Sequence, residues 1–415
     1  TASALRTGAS RSGVRAPAPN QTNPAKIGLY SMLMALTFGA VWWFNLSTVY
    51  ADMRFHEGQA FSDQPSAGLN EQVIALSKFA ATINSNPRED FYYLNLGRTL
   101  MTIAQQQQAQ GMPSGEPLDN PDLNRLLRIS SPQDAANFVQ THTPMQMISY
   151  AEAVLDAARE LNPMNKDHYA NLARLNNFWY NWTQDIARLQ AATEWYDQAN
   201  TIAPQDVVLL NEHASVLLIL GGYYGSVGDT AQATATYDQA EALLERSWSL
   251  DKLYADTPPR LAELYRVRGD LERATEMYLV ALDTNPHALD PYAQQIIDSL
   301  AAEPELIEQL ATKYLQIASK SNDSLLNSIA ALLAVRVNNL DAAIELYGKI
   351  AEREPNNLDN LRNYTIVLSD SNRYAEALDQ AEIGLAQAQA QDGRDLEIAQ
   401  FEYLVELFKQ KIAGG

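Results

Sequence analysis

The sequence predicts an all-α protein: an α-solenoid of about seven or eight helix pairs, preceded by one transmembrane helix. One observation behind this is a spacing of small and aromatic residues that recurs from about residue 53 towards the C-terminal end. Another is that residues 27–51 form an uncharged, mostly apolar run, long enough to cross a hydrocarbon core of about 30 Å. The chain also has no cysteine, which excludes disulfides, thiol catalysis, zinc–thiolate sites and iron–sulfur clusters.

The recurring spacing is complete in one segment that ends at Pro286. Its marked positions are Ala262, Tyr265, Gly269, Ala274, Tyr278, Ala281 and Pro286. The alanines are expected where two helices approach closely, because only a small side chain fits there. Gly269 is expected in the turn between the helices with a positive φ, and Pro286, which lacks an N–H, at the break that follows.

Further copies of the spacing occur along the chain. A second copy lacks the proline, so its second helix is expected to continue through Leu244 and Trp248; it comprises Leu220, Gly221, Tyr224, Gly228, Ala233, Tyr237 and Ala240. Partial copies end at Pro87, Pro163, Pro204 and Pro355, and a weaker one covers 364–384, whereas 290–320 is predicted as a degenerate repeat. The pattern resembles the tetratricopeptide repeat, a 34-residue helix–turn–helix unit. The resemblance implies a right-handed solenoid that binds partners and seldom catalyses.

The same patterns divide the chain into four parts. Residues 1–26 are a basic tail, predicted to be disordered or partner-bound, and 27–51 are the transmembrane helix. The solenoid is predicted over 52–390, with an insertion at about 105–145 that contains a short helix at 121–129. Such an insertion is either a tolerated surface loop or part of a binding face. Residues 391–415 are predicted to be the C-terminal capping helix, apolar on one side and charged on the other.

Charge predicts how the transmembrane helix is oriented. The residues before it include no acid and four basic residues, Arg6, Arg11, Arg15 and Lys26. Because the whole chain has a net charge of −20, the part after residue 51 has a net charge of −24. The positive-inside rule then puts the N-terminus in the cytoplasm and the solenoid in the periplasm or outside the cell.

Trp42 and Trp43 are expected near the headgroups, and Gly28 and Gly39 allow close packing of another membrane helix. The alternative is a signal peptide cleaved after Ala51, although the apolar run is longer than a signal peptide requires.

The composition also excludes several functions. A strongly acidic chain repels phosphate, so no nucleic-acid role is predicted. No two of the five histidines lie within a helical turn of each other, and the sequence has no glycine-rich phosphate loop and no recognisable nucleophile–base motif. We therefore predict no enzymatic activity and no cofactor.

One concentration of aromatic residues is a candidate partner or ligand surface. It consists of Tyr169, Phe178, Trp179, Tyr180, Trp182 and Trp195, next to the repeat residue Tyr196. Residues 178–182 cover most of a helix circumference, so some of these rings are expected to reach the surface, where Trp and Tyr favour interfaces. The alternative is that all of them pack in the core or between repeats.

A second resemblance concerns the junction after the membrane segment. The run Tyr50-Ala51-Asp52-Met53-Arg54-Phe55, with Pro87–Arg98 further on, resembles the tail of bacterial O-antigen ligase/polymerase-type membrane proteins, in which repeats follow the last span. Those enzymes need many membrane helices and this sequence has one, so the resemblance implies no catalytic residues here. Two hypotheses follow: a bacterial membrane-anchored scaffold that docks onto integral membrane subunits, or an envelope-polysaccharide factor that binds glycan or assists a glycosyltransferase.

Overall fold

The computed structural model describes residues 24–414, and all regular structure in this range is helical. The α-helices are α1 Pro24–Val41, α2 Ser47–Ser62, α3 Leu69–Ser85, α4 Asp90–Ala109, α5 Leu123–Leu127, α6 Pro132–Gln140, α7 Pro144–Leu161, α8 Lys166–Thr183, α9 Ile186–Ile202, α10 Val207–Ser226, α11 Thr230–Leu250, α12 Thr257–Val267, α13 Leu271–Thr284, α14 Ala293–Ser299, α15 Pro304–Ala318, α16 Ser324–Arg336, α17 Leu340–Arg353, α18 Leu358–Asp370, α19 Tyr374–Gln389 and α20 Asp395–Gly414. A π-helical turn, Trp42–Leu46, joins α1 to α2. Most of the predicted basic tail, residues 1–23, lies outside the described residues.

The chain forms two compact units that meet at Pro163 and Met164. In the first unit α2 pairs with α3 and α4 pairs with α7, while α5 and α6 belong to the insertion. In the second unit the pairs are α8 with α9, α10 with α11, α12 with α13, α16 with α17, and α18 with α19, and α20 packs on α19. The seven-residue α14 and the longer α15 occupy the place predicted for a degenerate repeat. The prediction of an all-α solenoid of helix pairs is confirmed.

Capping residues and prolines set the ends of the helices. The carboxylates of Asp206, Asp229, Asp270 and Asp323 accept hydrogen bonds from backbone N–H groups in the first turns of α10, α11, α13 and α16. These bonds satisfy N–H groups that have no partner within the helix. Five helices end two residues before a proline, namely Pro87, Pro163, Pro204, Pro286 and Pro355, because the residue before a proline disfavours helical geometry.

Small residues face large ones where paired helices meet. A Cβ added to Gly221 would lie 2.5 Å from the Tyr237 ring, and one added to Gly384 would lie 2.2 Å from the Phe401 ring. The turn residue Gly269 has a φ of +78°, as predicted, and Asn338 and Asn372 adopt positive φ in later turns. Helix α11 continues to Leu250, which confirms the predicted long second helix.

The apolar N-terminal helix α1 and the first repeat share one helical run. Helix α1, the π-helical turn and α2 follow one another without an interruption of the helix from Pro24 to Ser62. Ala51 and Phe55 are already buried against the first repeat. The predicted boundary between residues 51 and 52 therefore coincides with no break in the chain, because α2 is also the first helix of the solenoid.

The insertion is shorter at its N-terminal side than the sequence indicated. Helix α4 continues to Ala109, so the segment between the paired helices α4 and α7 begins at residue 110 rather than at about 105. The predicted short helix is present as α5, whereas α6 was not predicted. The buried Gln107 holds the insertion against α4, since its Nε2 donates to the backbone oxygens of Val139, at 2.9 Å, and His142, at 3.1 Å.

Candidate protein-binding surfaces

The second unit has an apolar groove along the first helices of successive pairs. It has a volume of about 440 Å³ and is lined by α10, α12 and the segment that follows α13. Its apolar lining includes Leu218, Ile219, Val267 and Tyr292, and the last three of these are exposed. Solenoids use extended concave surfaces of this kind for binding. We call this site the α10–α12 groove.

The charged groups of the α10–α12 groove are already paired. Arg260 Nε donates to Ser215 Oγ at 2.7 Å, and a second guanidinium nitrogen lies 3.2 Å from the Asp256 carboxylate. Arg266 Nε donates to the Glu263 carboxylate at 2.8 Å. Because these charged side chains already have partners, the rest of the groove lining is apolar. It suits apolar side chains of a ligand better than a charged group.

This groove was not predicted from the sequence. Leu218 and Ile219 come just before the first marked position of one full copy of the spacing, and Tyr292 comes after the last marked position of the other. Val267 lies between two marked positions, so none of the four belongs to the pattern. A sequence signal for the groove is an apolar residue at a helix position that faces solvent in a single repeat, where a polar residue is expected. Ile219 and Val267 are such residues.

The structure places four of the six predicted aromatic residues in two separate pairs. Phe178 and Trp182 have ring centroids 4.5 Å apart, near the C-terminal end of α8. Tyr169, near the N-terminal end of α8, pairs with Trp195 of α9 at 6.0 Å. All four side chains are half-buried, and Tyr169, Trp195 and Tyr180 pack against the core of the second unit.

Trp179 does not contribute to an exposed surface. Its side chain is only 4% exposed, and the Arg188 guanidinium lies over its ring, 3.4 Å from the centroid. Arg188 also donates to Asn176 Oδ1 at 3.2 Å. Including Trp179 in the candidate surface is thus contradicted, because a cation–π contact between α8 and α9 covers the ring.

Behind these aromatic residues lies a polar contact between α8, α9 and α10. Arg174 makes two hydrogen bonds of 3.0 Å to the Glu212 carboxylate, and the Tyr196 hydroxyl donates to the same carboxylate at 3.2 Å. His213 is stacked on Tyr196, with centroids 5.6 Å apart. Burial lowers the pKa of His213 to about 4, so its imidazole is neutral at pH 7.

Helix α1 has the length and composition of a membrane span. It has a mean hydropathy of 1.3 and none of its residues is buried. Gly28 and Gly39 have open space around them, and Trp42 and Trp43 are exposed just beyond the end of α1. A second helix, α10, passes the same test but is half buried inside the second unit, as a core helix would be.

No metal site was found in the part of the chain that the structure describes. Within residues 24–414, no three His, Cys, Asp or Glu side chains group so that they could hold an ion.

Comparison with solved structures returns tetratricopeptide repeat proteins. The chain is 11% identical to one from Parabacteroides merdae, over 86% of this chain and 98% of that one, with a TM-score of 0.35. Yeast Tom70 is 14% identical over 88% of this chain and 65% of that one, with a TM-score of 0.33. YrrB, described as a TPR protein with an unusual peptide-binding site, is 17% identical over 59% of this chain and 97% of that one, with a TM-score of 0.29.

These likenesses concern the fold alone. No protein-family model matches the chain, and no curated protein matches it. The helix pairs described above establish the repeat architecture of this chain. The second resemblance, to O-antigen ligase tails, finds no support in these comparisons and stays a prediction.

Proposed function

We propose that this chain is a non-enzymatic, membrane-anchored scaffold or accessory subunit whose solenoid binds a protein partner outside the cytoplasm. The observation that carries the proposal is the α10–α12 groove. It exposes apolar side chains in a chain with a net charge of −20, and such apolar openings on solenoid faces are typical of protein-binding sites.

The chemistry of the groove suggests what it would bind. Ile219, Val267 and Tyr292 offer contacts to apolar side chains, and the carboxylates of Asp256 and Glu263 lie at the margin of the groove. The overall acidity would steer a basic partner towards the solenoid and raise the association rate. We therefore expect a segment with apolar anchors and basic flanking residues.

The apolar helix supports the anchoring part of the proposal. Helix α1 would cross the bilayer with the N-terminus in the cytoplasm, and Trp42 and Trp43 would lie towards the outer headgroups. Gly28 and Gly39 are eleven positions apart, so they lie on nearly the same face of the helix, where a helix of an integral membrane subunit could approach closely. The solenoid would then be periplasmic or extracellular, as in a bacterial envelope.

The test is purification of the full chain from its native membrane in mild detergent, with cross-linking mass spectrometry of what accompanies it. We expect membrane subunits cross-linked near the α10–α12 groove. Ile219→Asp should reduce partner recovery at least tenfold, because it places a charge in the apolar contact. Ile383→Asp is the matched control, since Ile383 is 43% exposed against 40% for Ile219 but lies on α19, away from the groove.

Two results would contradict the proposed partner binding. One is a lone, monodisperse chain with no cross-linked partner. The other is equal loss of partner in the Ile219 and Ile383 variants, which would show that the groove has no special role. Turnover of a substrate by the purified protein would contradict the non-enzymatic part.

The envelope-polysaccharide alternative depends on the aromatic pairs. Phe178 with Trp182, and Tyr169 with Trp195, are half-buried rings, of which the exposed part could stack on sugar rings. Titration with envelope glycan should then change tryptophan fluorescence in the wild type, and Trp182→Leu should lose part of that change. Unchanged tryptophan fluorescence would contradict glycan binding, and protein binding would be the single proposal that remains.

A further inference from the structure

The helix that leaves the membrane segment is itself part of the first repeat. Phe55, on α2, has its ring centroid 5.4 Å from that of Phe79, 5.3 Å from that of Phe91 and 5.2 Å from that of Tyr92. Ala51, one turn earlier, is fully buried. The repeat is thus packed on this helix within one turn of the last uncharged residue, and no flexible linker separates the two.

Contacts along α2 establish which end of the first unit lies nearest the membrane segment. Helix α3 is antiparallel to α2, as shown by the Phe55–Phe79 contact and by the Lys78–Glu57 ion pair of 2.6 Å. The C-terminal end of α3 and the loop 86–89 therefore lie at the level of residues 47–51. The Tyr92 hydroxyl donates to Asp52, which puts the start of α4 at a similar level.

Two more segments reach this level. The Asn84 side chain donates to the backbone oxygen of Leu127, so the end of α5 lies beside the end of α3. Asn162 Nδ2 donates to Asp90 Oδ2 at 3.2 Å, so the end of α7 lies beside the start of α4. We call these segments together, residues 86–91, 127–128 and 161–162, the proximal rim.

The length of the apolar run sets the depth of the proximal rim in a bilayer. A helix needs about 20 residues to cross a hydrocarbon core of about 30 Å. Counted from Ile27, the core would end near Leu46. The last uncharged residues, 47–51, then lie in the headgroup layer, which adds roughly 5–7 Å on each side. The proximal rim lies at the level of the same residues.

Basic and apolar side chains of the proximal rim suit that layer, and the rim also contains two acids, Glu89 and Asp90, of which Asp90 accepts from Asn162. Arg88 and Arg128 are exposed, and neither has an ion pair among residues 24–414. Phe91 is 42% exposed and Leu161 is 43% exposed. Arginine binds phosphate through its planar fork of donors, and exposed apolar side chains gain from contact with the acyl boundary. Unpaired arginines are notable in a chain this acidic.

We propose that the proximal rim lies against the phospholipid headgroup layer, with Arg88 and Arg128 on lipid phosphates and Leu161 towards the acyl boundary. The inference rests on the membrane anchor of the proposed function. Because α2 is shared by the anchor and the first repeat, the first unit is held at a fixed height on the bilayer, and the lipid surface covers one end of it.

The experiment measures depth in the bilayer with single nitroxide labels. The chain has no cysteine, so each substitution to cysteine provides one labelling position. The full chain is reconstituted into nanodiscs of phosphatidylcholine with phosphatidylglycerol, and depth is read from collisions with oxygen and with a water-soluble nickel complex. The labelled variants are Phe38→Cys in the span, Arg88→Cys, Glu89→Cys and Arg128→Cys in the proximal rim, and Ser66→Cys in the loop between α2 and α3.

We expect the Phe38 label in the hydrocarbon and the three rim labels at headgroup depth. The Glu89 variant keeps both arginines, so it reports the rim without removing the groups that bind phosphate. The Ser66 label is the control in the same unit, and it should lie in water about 18 Å farther out, from the rise of roughly twelve helical residues.

The outcomes separate this inference from the proposed function. If the Phe38 label is exposed to water, the anchor itself fails. If the Phe38 label is in the hydrocarbon but the rim labels are as accessible to nickel as the Ser66 label, the anchor stands and the docking of the proximal rim is overturned.

Discussion

At the residue scale, His213 makes stability depend on pH. Its imidazole is buried between α9 and α10, with Nδ1 accepting from Asn200 Nδ2 at 3.1 Å, and burial lowers its pKa to about 4. Asp197, 3.9 Å away, is largely exposed and offsets little of this. The unfolded chain, with an ordinary histidine pKa of about 6.5, binds more protons than the folded chain between these two values. His213 should therefore cost stability as pH falls from about 6.5 to 4, by up to about 3 kcal/mol.

This pH dependence can be isolated by substitution. His213→Phe keeps a ring against Tyr196 but cannot be protonated, so its melting temperature should fall less between pH 6.5 and 4 than that of the wild type. The control is His56→Gln, which removes an exposed histidine of the first unit and should leave the wild-type fall in melting temperature unchanged. Identical pH profiles for the His213 variant and the wild type, followed by circular dichroism, would contradict the assignment.

Two neighbouring glycines on α10 should respond oppositely to alanine. Gly221→Ala puts a Cβ 2.5 Å from the Tyr237 ring, and overpacking of this kind costs about 1–3 kcal/mol, more than the helical preference for alanine returns. Gly222 is exposed and has only the Tyr237 hydroxyl within 4 Å, so Gly222→Ala should stabilise by up to about 1 kcal/mol. Urea unfolding measures both, and stabilisation by Gly221→Ala would argue against close packing at this position.

At the element scale, one buried glutamine helps to hold the insertion against α4. Gln107→Leu would leave the backbone oxygens of Val139 and His142 without their donor, at a cost of about 1–3 kcal/mol. Amide exchange in α6 should then become roughly tenfold or more faster. The control is Gln108→Leu, because Gln108 is the next residue along and its side chain is exposed. Equal exchange in the two variants would mean that Gln107 does not hold the insertion.

Elements were predictable to different degrees. The second helix of the Gly269 repeat and the long α11 were predicted from spacing alone, because alanines and aromatic residues at helical intervals are typical of a pair of closely packed helices. Helix α6 was missed, since its pairing with α3 and Gln107 joins positions far apart in the sequence. Within the run Gln105–Gln108, the sequence could not distinguish the one buried glutamine from its neighbours.

At the scale of the whole molecule, stability should be local along the second unit. Each helix pair packs mainly on its neighbours, so in a repeat array a disturbance fades with distance. Ending the chain at Gln391 would remove α20 and uncover the partners of Phe401 and Phe408, both of which are buried. Amide exchange should accelerate most in α18 and α19 and remain unchanged in α8 and α9.

The truncation has a matched control in the same helix. Tyr403→Ser changes a side chain of α20 that is exposed, so it should leave exchange in α18 and α19 as in the wild type. If the truncated chain exchanged faster throughout the second unit, that unit would unfold as one cooperative block, and the nearest-neighbour description would be wrong.

The sequence by itself determined the all-α class, the helix pairs and the apolar helix that precedes them, because these depend on residue spacing over one or two helical turns. The tertiary structure decided which side chains each surface exposes. It buried Trp179 under Arg188, opened the α10–α12 groove between repeats, and made α2 common to the apolar run and the first repeat. These features arise from contacts between helices, and periodicity within a helix does not specify which neighbour covers a given side chain.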